Sequence, residues 1–115
     1  VLVIAPDLGL RRSLEFALEV EGFAVLTFDD VNAALSSPST AQGSCVVIDE
    51  EALLNDPSAM AAMERLHKPV ILLADRSLSI PDVLGIRMLR KPLLGNALIT
   101  AVRLTDQSAG AGQST

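Results

Sequence analysis

Five short, largely apolar runs alternate with segments of helical spacing, and this alternation constrains the fold more than any other feature of the chain. The runs are Val1 to Ala5, Phe23 to Phe28, Cys45 to Ile48, Pro69 to Ala74 and Ile86 to Arg90. Each has the length of a strand, and several lack the polar alternation of a strand with one wet face, so they read as strands buried on both sides. Between the first two, Leu10, Leu14, Ala17 and Leu18 recur at helical spacing; Asp7 is placed as N-cap and Gly22 as the residue that ends the helix. Asp29-Asp30 cap a short helix over Val31 to Leu35, and Ser36 to Gly43 reads as a polar loop. Asp56-Pro57 opens a helix over Ser58 to Leu66, Ile80 to Leu84 holds a short one interrupted by Pro81, and Asn96 to Leu104 closes the domain. The tail 106–115 contains Gly, Ser, Gln, Ala and Thr without apolar periodicity and reads as a flexible linker. The expected fold is α/β: a doubly wound, five-stranded parallel sheet of flavodoxin-like order 2-1-3-4-5, with its ligand crevice beyond the strand C-termini.

Composition narrows the function classes. At 115 residues, half of them apolar, the chain suffices for one domain with a core and not for two. A net charge of −5 with no basic stripe argues against direct nucleic-acid contact. No apolar stretch approaches the roughly 20 residues that span a bilayer, so no membrane association is expected. No secretory signal is present and the single cysteine cannot form an internal disulfide, which together suggest a reducing cytoplasm. Cys45, in a buried strand, reads as a small hydrophobe rather than a redox centre. The first residue, Val1, already lies within a strand, so the chain reads as an excerpt of a longer protein.

Two polar residues sit where the strands end. Asp49 closes the third run and Lys91-Pro92 closes the fifth. A carboxylate and a lysine at the C-terminal edge of one parallel sheet can be a structural ion pair or a reactive site, and spacing alone leaves both open. No nucleophile elbow, Gly-rich phosphate loop or metal-spaced His/Cys set accompanies them, so no enzymatic activity is expected.

From Val1 to about Leu104 the sequence resembles the receiver domain of bacterial two-component response regulators. The element order, the strand-ending Asp49 and the Lys91-Pro92 pair carry the resemblance. The Gly22-Phe23-Ala24-Val25 segment leading to Phe28, Ala33-Ala34-Leu35 and the Lys-Pro-Leu run look most like FixJ-type regulators. The resemblance implies that residues 1–105 form a receiver, with 106–115 leading to an output domain that binds DNA. It further implies a sensor histidine kinase as partner, met through the first helix with Arg11 and Arg12 exposed. Asp49 would be the phosphoacceptor and Lys91 its charge partner. A homodimer through the C-terminal strand and helix is also implied.

The sequence departs from the family at several positions. The turn that should carry an acidic Mg²⁺-binding pair reads Ala5-Pro6, leaving Asp7 one position later. Ala74 stands where a hydroxyl should end the fourth strand, and Met88 replaces the aromatic before the lysine. The interval from Ala74 to Lys91 is short by more than a helical turn of about 3.6 residues, so the helix within it is stunted. Asp7, Asp49 and a backbone oxygen of Glu51 make a thin Mg²⁺ set, with Asp7 better suited to capping. The expectation is an atypical receiver with impaired Mg²⁺-dependent phosphorylation at Asp49. A pseudo-receiver that signals through protein contacts alone is the alternative.

Overall fold

A computed structural model describes residues 1–74, 86–90 and 97–113. Its strands are β1 (Leu2–Ile4), β2 (Leu26–Phe28), β3 (Val46–Asp49), β4 (Val70–Ala74) and β5 (Ile86–Arg90); its helices are α1 (Leu8–Val20), α2 (Val31–Ser36), α3 (Glu50–Leu54), α4 (Ala59–Glu64) and α5 (Ala97–Gln113). The strands form one parallel sheet in the order β2-β1-β3-β4-β5. In register, Ile4 lies beside both Phe28 and Ile48, and Asp49 lies beside Leu73. The C-terminal ends of β1, β3 and β4 therefore share one edge, and the chain order reverses between β1 and β3.

The apolar runs behave as doubly covered strands must, because successive side chains point to opposite faces. Leu2, Ile4, Val46, Ile48, Val70 and Leu72 pack on one face against Val31 and Ala34 of α2, Ala52 of α3, and Ala59, Ala62 and Met63 of α4. Val3, Val47, Ile71 and Leu73 pack on the other face against Leu14 and Leu18 of α1 and Leu98, Ala101 and Val102 of α5. Leu2, Val3, Ile4, Val46, Val47 and Ile48 are wholly buried, and the edge strand β2 is half-buried throughout. Gly43 permits the close approach of the loop before β3, since a Cβ there would sit 2.7 Å from Leu2 Cγ.

Capping explains where α1 and α2 start and stop. Asp7 Oδ2 accepts from Leu10 N–H at 2.8 Å to open α1, and Asp30 Oδ1 accepts from Ala33 N–H at 2.7 Å to open α2. Gly22 follows α1 with φ +93°, a left-handed conformation that glycine adopts without strain.

Four local expectations need correction. The polar loop 36–43 contains a 3₁₀ turn, Pro38–Gln42, because Ser37 caps it and the buried Thr40 hydroxyl donates to the Ala34 carbonyl. The segment between β3 and β4 holds two short helices. α3 begins directly after Asp49, and α4 is shorter than the expected 58–66 because the chain turns left-handed at His67, φ 53°. The second strand is confined to Leu26–Phe28. Finally, α5 runs to Gln113 and takes in most of the segment read as linker: extending an existing helix needs no new nucleus, so weak formers such as Gly110 and Gly112 are carried along. The helix expected at 80–84 lies outside the described residues.

Candidate functional site

The edge where β1, β3 and β4 end is the crevice in which a sheet of this topology binds ligands. Asp49 is placed there by β3 and is 1% exposed. Its Oδ2 accepts the Glu51 N–H at 3.1 Å, so the carboxylate serves as the N-cap of α3. Glu50 is also buried, whereas Glu51 is exposed. Two acids in the first turn complement the positive end of α3, and with Asp49 they make a cap signature that was present in the sequence.

The end of β1 differs. Ala5 is fully buried and continues the sheet by donating its N–H to Phe28 O at 3.0 Å. Pro6 is half-buried and offers no side-chain oxygen. Asp7, the next residue, is exposed and committed to the cap of α1. Arg11 does not extend into solvent as expected. It is half-buried, and its Nη1 donates to the carbonyls of Ala5 at 2.8 Å and Pro6 at 3.5 Å. Those carbonyls lie beyond the last ladder pair of β1, so the guanidinium satisfies backbone oxygens the sheet leaves over. Arg12 is exposed. The role of Arg11 was hidden in the sequence because an arginine early in a helix is ordinarily a solvated side chain.

A cleft of about 330 Å³ opens beside these two turns, lined by Pro6, Asp29, Asp30, Ala52, Asn55 and Asp56. Asp30 is engaged as the cap of α2. Asp56 Oδ1 accepts from the Ser58 hydroxyl at 2.8 Å and the Ser58 N–H at 3.0 Å. These two bonds, the hydroxyl foremost, hold the Asp56 carboxyl below the usual range. Ala74 ends β4 fully buried, with its backbone in register with Arg90. Met88 is in register with Leu72, and Lys91 lies outside the described residues.

Among the described residues, no group of three or more His, Cys, Asp or Glu is placed to hold a metal ion. The side chains of Asp7, Asp49 and Glu51 thus do not gather into one ligand set. Mg²⁺ needs near-octahedral oxygen ligation anchored by carboxylates. Ala5 and Pro6 provide none, and the cationic guanidinium of Arg11 holds their carbonyls. The residues described here do not fit the ion. Cys45 is buried, and no helix among the described residues is long and apolar enough to cross a membrane.

No family model matches the chain. It is 33% identical over 103 residues to the transcriptional regulator protein FixT of Rhizobium meliloti (strain 1021), an alignment covering 89% of this chain and 88% of that protein. The solved structure of the response regulator StyR superposes with a TM-score of 0.75 at 24% identity. That superposition covers 98% of this chain but only 63% of StyR, so the chain spans less than two thirds of that regulator.

Proposed function

We infer the function of this chain from its family: it belongs to the receiver domains of response regulators, and it is a receiver-type regulatory domain. We propose that it takes a signal from a sensor histidine kinase and controls a transcriptional output, with Asp49 as the residue that accepts the phosphoryl group. The single observation carrying this reading is the position of Asp49, a carboxylate ending β3 at the point where the strand order reverses. Lys91 is proposed as its charge partner. Because the end of β1 supplies no Mg²⁺ ligands, acceptance at Asp49 is expected to be slow and insensitive to the metal.

A second reading is favoured by a specific observation. Asp49 is almost fully buried and already caps α3, and the end of β1 is closed by Arg11. Such a crevice suits a pseudo-receiver that regulates through protein contacts without phosphate. One experiment separates the two. The full chain and Asp49→Asn are incubated with acetyl phosphate, with and without Mg²⁺, and followed by phosphate-affinity electrophoresis. A shifted band that forms in the wild type alone, at a rate the metal does not change, supports the phosphoacceptor. An unshifted wild type under both conditions leaves the pseudo-receiver. A rate that rises steeply with Mg²⁺ contradicts the metal-poor site.

A further inference from the structure

The outer crest of α1 is unusually apolar for a solvated face. Thirteen residues of helix, about 20 Å long, bury Leu14 and Leu18 against the sheet. On the side away from the core stand Leu8, Arg12, Phe16 and Val20, each one helical repeat of four from the next. Phe16 is 70% exposed, Val20 66% and Leu8 50%. Nothing in the receiver core requires them, and a ring so exposed marks a contact surface rather than a packing residue.

We propose that this crest is the interface between two copies of the chain, paired as antiparallel α1 helices about a two-fold axis at the level of Leu14. The stripe is complementary to its own reverse. In that register Leu8 faces the partner's Val20, and Arg12 faces the partner's Phe16; the two-fold repeats both contacts, as an isologous interface must. The guanidinium of Arg12 thereby lies over an aromatic face, a favourable cation–π arrangement. The same register sets Arg12 beside the partner's Glu15, so the ion pair forms twice, once on each side of the axis. Among the described residues neither Arg12 nor Glu15 takes part in an ion pair within the chain. A parallel pairing would instead bring Arg12 against Arg12 and Glu15 against Glu15.

One helix per copy buries less than the roughly 800 Å² per partner of a standard stable interface. The dimer is accordingly weak and concentration-dependent. It is independent of Asp49 chemistry, and it covers the helix expected to meet the kinase, so the two partners compete for α1.

The test is sedimentation velocity of the full chain over a concentration series up to about 1 mM, with thermal unfolding of every variant as the folding control. The wild type is expected to pass from monomer to dimer. Phe16→Asp is expected to remain monomeric with unchanged unfolding, because the ring makes no core contact. Arg12→Glu should raise the dissociation constant about tenfold or more, and the charge-swapped Arg12→Glu/Glu15→Arg should restore it. Ser13 flanks the crest and is exposed, so Ser13→Cys should oxidise to a covalent dimer, whereas Ser36→Cys on α2 should not. A wild type that stays monomeric throughout overturns the proposal, even if it then binds a kinase. A dimer that survives Phe16→Asp also overturns it and locates the interface elsewhere, such as the C-terminal strand and helix.

Discussion

The ends of β1 and β3 are neighbours in one sheet, yet they solve the same problem in opposite ways. Both leave a turn at the same edge, one residue past the pair Ile4–Ile48. At β3 the chain buries a carboxylate, Asp49, and uses it to start a helix. At β1 it buries an alanine, and a cation from α1 takes the backbone oxygens. A metal-binding receiver crevice needs both ends acidic so that a divalent ion can sit between them. Here the acid survives on one side only, and the arginine supplies positive charge that cannot dissociate. The difference separates two properties that usually travel together: the fold of a receiver needs the apolar strands, while its metal chemistry needs the β1 acids.

Restoring those acids breaks the contrast most severely. Ala5 is fully buried beside the sheet, so Ala5→Asp places a carboxylate in an apolar site near Asp49. Burial and like charge both disfavour it. The expected loss is about 2–4 kcal/mol in urea unfolding at neutral pH. In Ala5→Asp/Pro6→Asp, adding Mg²⁺ should recover part of that loss, since an ion binding only the folded state stabilises it. The wild type should show no Mg²⁺ effect. A wild-type midpoint that rises with Mg²⁺ would contradict the reading of this edge.

The next effects are smaller and belong to the residues that close each end. Arg11→Met keeps the apolar stem but leaves the Ala5 carbonyl without its guanidinium donor. About 1 kcal/mol of stability should go, with hydrogen exchange rising at the end of β1. On the other side, Asp49→Ala removes the cap of α3 and should also cost about 1 kcal/mol. Asp49→Asn keeps an acceptor for Glu51 N–H and should stay within about 0.5 kcal/mol of the wild type. If Asn and Ala are equally destabilising, capping is not what Asp49 contributes to the fold.

These residues also show what the sequence could and could not reveal. The runs that become β1, β3 and β4 were readable because burial on both faces forbids polar alternation, leaving an unbroken apolar word. The caps Asp7 and Asp30 were readable because an acid before a periodic segment has few other uses. α3 leaves no periodic signal for a physical reason: five residues are too few for a 3.6-residue period to register. The two roles of Asp49 are compatible, since one oxygen caps while the carboxylate still ends the strand. The engagement of Arg11 is not legible in the sequence because its hydrogen bonds depend on the path of β1 relative to α1, which is a tertiary property. The course of α5 past Leu104 was hidden for the opposite reason, because composition there favours neither state and the preceding helix decides.

The smallest test concerns the cleft that flanks both ends, where Asp56 is the carboxylate whose ionisation the fold visibly favours. Its folded pKa lies below the ordinary value, chiefly through the Ser58 hydroxyl and then the Ser58 N–H. A group of this kind stabilises the fold at pH above its unfolded pKa, and the contribution fades as pH falls through the lower, folded pKa. The window therefore opens below about pH 4. Wild type and Asp56→Asn should differ in urea midpoint at pH 6, and the gap should narrow steadily on acidification through that range. Ser58→Ala should shrink the same pH-dependent gap, because it deletes the larger of the two bonds while leaving the N–H. Asp56 is half-buried and its two bonds lie at the surface, so the effect will be the least of the series. Its value lies in the sign: a gap that widens in acid would mean that the turn opening α4 is stabilised by the protonated carboxyl, and the acidic lining of the cleft would then be a strain that the fold tolerates instead of a feature it uses.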